Sequence, residues 1–283
     1  MTMKFEGVTK HYKDFDLDLT LEVPEGYITG IIGANGAGKT TAFKVALGLI
    51  HPEDGSVTIF GKNASTLSAS DREQIGVVLA DAGFSNYLKI KDIISVLTNM
   101  YPRFQKSYFL EICQKYQLPL DKRLKDFSTG MKRKLQLTAA ISHDARLLLL
   151  DEPTSGMDIM ARDEMLEILM EYMETPGRSI LISSHISTDL EGICDDIYMI
   201  DDGKVLLHEE TDQLLDQYGV LKVTARQYET LDKDYILAYK KESYGYSCLT
   251  NERQYYVENY PALTIEKGNI DEVIMMMKRG IHV

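Results

Sequence analysis

The chain has 283 residues, of which 44% are hydrophobic, enough to bury a substantial core in one large domain with subdomains or in two smaller domains. Its 31 Lys and Arg against 43 Asp and Glu give a net charge of −12, which argues against nucleic-acid or anionic-lipid binding as the main activity. Cys113, Cys194 and Cys248 are far apart and form no CxxC pair, which excludes a disulfide framework or a cysteine zinc site and fits a reducing cytosol.

Strand and helix patterns alternate through the first 80 residues. The segment "LDLTLEVPEG" alternates as a half-buried strand does, and "YITGIIGANG" is typical of a buried strand that ends in glycines. A helix is predicted from about Lys39 to Leu49. The β-branched runs "SVTIFGK" and "EQIGVVLA" predict two further strands.

Helical spacing dominates from about residue 85 to 145, in "IKDIISVLTNMY", "KSYFLEICQKYQL" and "MKRKLQLTAAIS". This pattern predicts a helical insertion in an α/β body. Strands return at "RLLLLDEP" and "SILISSH", separated by the helix "DIMARDEMLEILMEYME", which is the alternation of a sheet with parallel crossovers. The segment "DIYMIDDGKVLLHEE" predicts a hairpin that turns at Asp202-Gly203.

The composition shifts after residue 212, where nine of the 17 tyrosines lie. Short alternating runs there are followed by a final helix, for which Asn269 is the predicted N-cap with Glu272 three residues later. We therefore divide the chain into a domain over 1–212 and a small C-terminal α/β accessory region over 213–283.

The segment "GANGAGKTT" matches the pattern G-x-x-x-x-G-K-[ST] between a predicted strand and a predicted helix. In such a loop, backbone N–H groups and the positive end of the helix surround a phosphate, and glycines allow its close approach. Lys39 would reach the β- and γ-phosphates of ATP, and the Thr40 hydroxyl would bind Mg²⁺. The predicted nucleotide contacts of this loop are Gly33, Asn35, Gly36, Gly38, Lys39, Thr40 and Thr41.

Two carboxylates follow the predicted buried strand in "LLLLDEP". Open α/β sheets bind ligands at the carboxyl ends of their strands. We expect Asp151 to hold Mg²⁺ through water and Glu152 to act as the general base that activates the attacking water.

His185 ends the next predicted strand, "SILISSH". A parallel strand beside the one that carries Asp151 would bring this imidazole to the same edge of the sheet. It would hydrogen-bond the γ-phosphate there.

In order and spacing, these motifs resemble the nucleotide-binding subunits of ATP-binding cassette (ABC) transporters over about residues 2–212. "GANGAGKTT" is similar to the Walker A motif of that family, "LLLLDEP" to Walker B, "TSGMD" to the D-loop, and His185 to the switch histidine. The resemblance implies an α/β P-loop NTPase fold with a mixed sheet, a helical subdomain and ATP hydrolysis. It also places Tyr12 where the family stacks an aromatic ring on adenine, although a core or surface tyrosine accounts for Tyr12 equally well.

The segment "FSTGM" resembles the signature motif of the family, usually L-S-G-G-Q. The resemblance implies that Ser128 and the Gly130 N–H bind the γ-phosphate of the ATP held by a second ATPase subunit. The two subunits would form a head-to-tail homodimer or related heterodimer. Thr129 and Met131 depart from the pattern, so we expect weakened or retuned function. The following "KRK", 132–134, either adds positive potential near the nucleotide or forms a solvated helix face.

The family usually places a glutamine that reaches Mg²⁺ after the strand that ends in "IGVVLADAGF". Ala80 or Asp81 fills that position here. The carboxylate of Asp81 is a hard oxygen ligand suited to Mg²⁺, so we predict Asp81 as a metal ligand, while a solvated loop residue is an equally good account.

Separate integral-membrane subunits are the partners that the resemblance implies. The chain has neither an N-terminal apolar h-region nor an apolar run near 18 residues, so we expect that it does not itself cross a membrane. It would lie on the cytoplasmic face, contact its membrane subunits through "ADAGFSNYLKIKDI", and drive export of a peptide, antibiotic or lipid. No nucleic-acid partner is expected.

The alternative function is that of a soluble, non-transport ABC ATPase in translation or nucleic-acid maintenance. Translation ATPases carry two cassettes in one chain and contact RNA, whereas this chain has one cassette and is acidic. Chromosome-structure ATPases carry a long heptad insertion between the motifs, and this sequence has none.

Overall fold

The structure, a computed structural model, describes residues 1–282, which contain one ten-stranded mixed sheet and one five-stranded antiparallel sheet. The larger sheet contains β1 (Met3–Tyr12), β2 (Phe15–Val23), β3 (Ile28–Ile32), β4 (Asp54–Ile59), β5 (Lys62–Asn63), β6 (Ile75–Val78), β7 (Leu147–Asp151), β8 (Ser179–Ser184), β9 (Asp196–Asp201) and β10 (Lys204–Glu210). The smaller sheet contains β11 (Gly219–Val223), β12 (Ile236–Glu242), β13 (Gly245–Thr250), β14 (Thr264–Lys267) and β15 (Ile281–His282).

The helices, in chain order, are α1 (Lys39–Ala46), α2 (Ala69–Arg72), α3 (Ile90–Met100), α4 (Lys106–Lys115), α5 (Thr129–Ile141), α6 (Ile159–Met173), α7 (Ser187–Glu191), α8 (Thr211–Gln217), α9 (Ala225–Thr230), α10 (Arg253–Asn259) and α11 (Ile270–Arg279). Across residues 1–282, no helix combines the length and the apolar character that a bilayer span requires.

The larger sheet has the order β5-β4-β1-β2-β10-β9-β3-β8-β7-β6. The five strands from β9 to β6 run parallel to one another, whereas β1, β2 and β4 pair antiparallel. All residues of β3 and β7 are buried, as expected for parallel strands that are covered on both faces. The predicted mixed α/β sheet is confirmed.

The first helix is shorter than predicted. It ends at Ala46, not near Leu49. Gly48 adopts a φ of +69° and donates its N–H to the Val45 carbonyl, which terminates the helix.

The helical segment between β6 and β7 has its own hydrophobic core. Apolar side chains of α3, α4 and α5 form one buried cluster that includes Ile93, Phe109 and Leu135. A buried cluster of its own is expected for a helical subdomain within an α/β domain, while α5 also packs against β6, with Leu137 and Ile141 in the core of the larger sheet.

The smaller sheet follows the predicted start of the accessory region. Helix α8 spans the predicted boundary between 212 and 213, and that division stays a prediction. Helix α11 packs against α7, with Val273 and Met276 in the same buried cluster as Leu190 of α7. Asn269 caps α11 as predicted, since its Oδ1 accepts the Glu272 N–H at 2.8 Å. The accessory region thus shares a core with the larger sheet.

The three cysteines are buried free thiols. Burial raises the pKa of Cys113 and of Cys248 to about 12, so at neutral pH both remain protonated and are weak nucleophiles.

Candidate active site

Four neighbouring parallel strands end at one edge of the larger sheet. Strands β3, β8, β7 and β6 lie side by side in that order. Each is followed by residues that the sequence selected: the glycine-rich loop, His185, Glu152 and the segment around Asp81. Parallel pairing therefore brings residues far apart in the sequence to one edge.

A cavity of about 500 Å³ lies at this edge. Its lining residues are Phe15, Ala34, Asn35, Gly36, Gly38, Lys39, Thr40, Thr41, Ala80, Asp81, Arg133, Glu152, Ser155 and His185.

The glycine-rich loop forms one wall of the cavity. Gly36 and Gly38 have φ values of +86° and +108°, which residues with a side chain rarely adopt. Gly38 is the N-cap of α1 and supplies no side-chain cap, so the first N–H groups of that helix remain available for an anion. Gly33 lies outside the lining, and a Cβ on it would come within 2.4 Å of the Ile200 carbonyl oxygen.

Lys39 is almost completely buried and contacts both the loop and a carboxylate. Its Nζ donates to the Gly33 carbonyl at 2.6 Å and lies 3.0 Å from Glu152 Oε1. The contact with Glu152 is an ion pair without hydrogen-bond alignment. The ammonium group is thus held between the glycine-rich loop and the predicted base.

Asp151 is fully buried, and hydroxyl groups hold both of its oxygens. Thr40 Oγ1 donates to Oδ2 at 2.7 Å, and Ser183 Oγ donates to Oδ1 at 2.8 Å. Ser183 Oγ also accepts the backbone N–H of Glu152 at 3.0 Å. Ser183, which the sequence analysis missed, therefore fixes both acidic residues, and only its parallel pairing with Asp151 could have identified it.

Glu152 has a φ of +51°, in the left-handed region that is unfavourable for a side chain of this size. Its Oε2 lies 2.6 Å from His185 Nδ1. That contact leaves His185 Nε2 free to face the cavity that His185 lines. Backbone strain of this kind is typical of catalytic positions.

Tyr12 lies at the end of β1, is 42% exposed and does not line the cavity. Phe15, which the sequence analysis missed, does line it, and the two ring centroids are 6.1 Å apart. Its place three residues after Tyr12 was the available signal. Phe15 is therefore the aromatic side chain that this structure places at the cavity.

Ser128 and Gly130 lie at the N-terminus of α5, outside the cavity of their own chain. Ser128 Oγ accepts the Met131 N–H at 3.2 Å and so caps the helix. A Cβ on Gly130 would meet Ala161 Cβ at 3.2 Å. Close packing of α5 against α6 within one chain therefore already favours a small residue at 130.

The segment after β6 brings both Ala80 and Asp81 to the cavity. Arg133 of α5 also lines it, which fits the predicted positive potential near the nucleotide for this residue better than a solvated helix face. The guanidinium donates to two backbone carbonyls of this segment.

Residues 17–155 match the family model described as ABC transporter. The chain is 34% identical over 205 residues to the bacitracin transport ATP-binding protein of Enterococcus faecalis, which covers 71% of this chain and 67% of that protein. It is 33% identical over 214 residues to a lantibiotic transport ATP-binding protein of Streptococcus pyogenes, which covers 74% of this chain and 91% of that protein.

Solved structures agree with this fold. A structure described as the ATP-binding subunit of an ABC transporter has a TM-score of 0.69 and 25% identity, over 77% of this chain and 93% of that chain. A dimeric ATP-binding cassette with ADP and phosphate bound has a TM-score of 0.66 at 21% identity, over 74% of this chain and 98% of that chain. The second likeness concerns the fold alone.

Proposed function

Because the chain belongs to the ABC transporter family as one of its ATP-binding subunits, we propose that two copies, or one copy and a related chain, bind two ATP molecules head to tail and drive separate membrane subunits. The observation that carries this proposal is the convergence of Lys39, Asp151, Glu152 and His185 at the edge of one sheet. The chain is an ATPase by family, and its geometry suggests how each side chain acts.

The cavity suits ATP with Mg²⁺. The uncapped N-terminus of α1 and buried Lys39 favour phosphate groups, and Thr40 and Asp151 offer adjacent hard oxygen atoms. In the described part of the chain, no group of three or more Asp, Glu, His or Cys side chains is placed to hold a metal. One hydroxyl and one carboxylate, from Thr40 and Asp151, suit Mg²⁺, which usually binds one or two carboxylates and completes its shell with phosphates and water. Bound Mg²⁺ would neutralise charge on the phosphates.

Glu152 acts as the general base in this proposal. Its carboxylate contacts Lys39 through one oxygen and His185 through the other. A phosphate in the cradle would compete for the Lys39 ammonium, which leaves Oε1 free to accept a proton from water. As an imidazolium, His185 would donate from Nδ1 to this carboxylate and keep it oriented, and would donate from Nε2 to the γ-phosphate.

A second subunit completes the site in this proposal. Ser128 and Gly130 lie outside the cavity of their own chain, which supports a role for them on a second subunit's ATP. Ile159 and Met160, directly after the D-loop residue Asp158, are 74% and 71% exposed. Two adjacent apolar side chains at such exposure support a protein partner at this surface.

Membrane subunits would bind beside the segment after β6. Tyr87 is 77% exposed, and an apolar cavity of about 210 Å³ nearby is lined in part by Phe84, Val96 and Met100. We propose that this surface holds a cytoplasmic element of the membrane subunits and places the chain on the inner face of the membrane. The names of the bacitracin and lantibiotic transport relatives support a peptide or antibiotic as the cargo, and we propose export of such a molecule or of a lipid.

Tyr87→Asp tests this surface. We expect the amount of membrane protein that copurifies with the tagged chain to fall about tenfold, the effect of losing about 1.4 kcal/mol of binding free energy. Tyr244→Asp, at a 49% exposed tyrosine in the turn between β12 and β13, is the control; it loses a local hydrogen bond to Ser247 and should leave the recovery of membrane protein unchanged. Equal recovery with both variants, beside full ATPase activity without any membrane protein, would contradict the proposed transport role.

Asp81→Asn tests the proposed metal contact. The amide is a weaker ligand than the carboxylate, so the Mg²⁺ concentration for half-maximal ATPase activity should rise several-fold. Asp271→Asn, at an exposed acid of α11, is the control. An unchanged Mg²⁺ titration would make Asp81 an ordinary loop residue.

A further inference from the structure

We propose that Arg133 is a positioning residue that fixes the segment after β6, at the nucleotide cavity, to α5, the helix whose N-terminus acts on the second subunit's ATP. The inference rests on the proposed function and deepens it. It gives a physical connection between the part of a subunit that faces its own nucleotide and the part that faces its partner's nucleotide.

Two consecutive backbone carbonyl groups accept hydrogen bonds from the Arg133 guanidinium. Nη1 donates to the Leu79 oxygen and Nη2 donates to the Ala80 oxygen, both at 3.1 Å. Nη1 also lies 3.2 Å from Gln136 Oε1, which orients the group from within the same helix. The planar fork of arginine suits two parallel acceptors, an arrangement that a lysine ammonium cannot reproduce.

A second side chain of α5 extends the attachment. Gln136 Nε2 donates to the Ala82 carbonyl at 2.6 Å. A Cβ on Gly83 would lie only 2.4 Å from this nitrogen, so the glycine permits the close approach. Side chains of one helix therefore hold three of the four carbonyls from Leu79 to Ala82.

These contacts join the segment after β6, which faces the chain's own nucleotide, to α5, whose N-terminus is proposed to face the partner's nucleotide. Ala80 and Asp81 line the cavity, and Arg133 lies beside them. Ser128 is the N-cap of α5, the same 13-residue helix that carries Arg133. Leu135 of α5 belongs to the buried cluster of the helical segment, whereas Leu137 of α5 belongs to the core of the larger sheet, so α5 connects the two. A displacement of α5 by the partner's nucleotide would therefore move the cavity-facing segment.

A direct charge on the γ-phosphate is the competing role for Arg133. An Arg133→Lys substitution separates the two roles, because it keeps the positive charge and loses the planar guanidinium. A phosphate ligand tolerates lysine, because a point charge still attracts the anion, whereas the carbonyl bridge needs both arms of the fork.

Arg133→Lys and Arg133→Ala distinguish the two roles when kcat, KM and ADP affinity are measured for the full chain with its membrane subunits. We expect both variants to lower kcat about tenfold, because each loses aligned charge-assisted hydrogen bonds. ADP affinity should stay within about twofold, because the phosphate cradle is intact. Lys106→Ala removes an exposed charge from α4 that makes no hydrogen bond to this segment, and is the control.

Three results would overturn the inference. Wild-type turnover by Arg133→Lys would make Arg133 a simple charge, a matching loss of ADP affinity would make it a nucleotide ligand, and wild-type turnover by Arg133→Ala would leave it without a role. An inactive Glu152→Gln beside active Arg133 variants would remove only this inference. Unchanged turnover by Glu152→Gln would instead remove the proposed function.

Discussion

Glu152→Gln lowers kcat for ATP hydrolysis by about 100-fold or more in the proposed mechanism, because the amide cannot accept the proton of the attacking water. Binding of ATP should persist, since Lys39, Thr40 and the glycine-rich loop are untouched. The change also keeps the size of the side chain, so it tests chemistry with little effect on packing. Turnover and ATP affinity, measured on the same preparation, separate the two effects.

Glu167→Gln is the matched control for this prediction. Glu167 is an exposed glutamate of α6, and the same loss of charge there should leave turnover unchanged. If Glu152→Gln retains more than a tenth of wild-type kcat, Glu152 is not the base. A parallel loss in both variants would indicate a general effect of charge on the fold.

Ser128→Arg is expected to abolish most turnover without weakening ATP binding to the same chain. Ser128 is outside the cavity of its own chain, and the bulky cation would occupy the place proposed for the second subunit's phosphate. The substitution also removes a helix N-cap, which costs about 1 kcal/mol of stability. Thr224→Arg removes the cap of α9 in the accessory region and controls for that loss.

Mixing two inactive variants tests the same contact in the opposite direction. Lys39→Ala has an intact α5 N-terminus and a defective phosphate cradle, whereas Ser128→Arg has the reverse. A mixed dimer then contains one composite site in which both parts are intact, so turnover should reappear. Wild-type turnover by Ser128→Arg alone would show that each chain hydrolyses ATP without the contact across the dimer.

Local signals in the sequence predicted the strands and turns around the site. The run "LLLL" before Asp151 and the glycine-rich loop before Lys39 each lie within one element and its neighbour. Asn269 as a helix cap and Asp202-Gly203 as a hairpin turn, with φ values of +44° and +75°, depend on equally short stretches. Such features can be predicted because the residues that determine each cap or turn are adjacent in the sequence.

Contacts between distant segments were not predictable in this way. Arg133 and Leu79 are 54 positions apart, and Ser183 and Asp151 are 32 positions apart. The partners become visible only when strands are placed side by side and α5 is packed against them. Gly130 shows the same limit, because its neighbour Ala161 comes from the following helix of the same chain.

Sedimentation velocity of Glu152→Gln with ATP and with ADP tests the central claim most directly, since the two nucleotides differ in the γ-phosphate that Ser128 and Gly130 are proposed to bind. We expect a stable dimer that holds two ATP molecules, and a monomer when ADP replaces ATP. A monomer that binds ATP tightly, beside a wild-type chain that hydrolyses ATP as a monomer, would contradict the shared site.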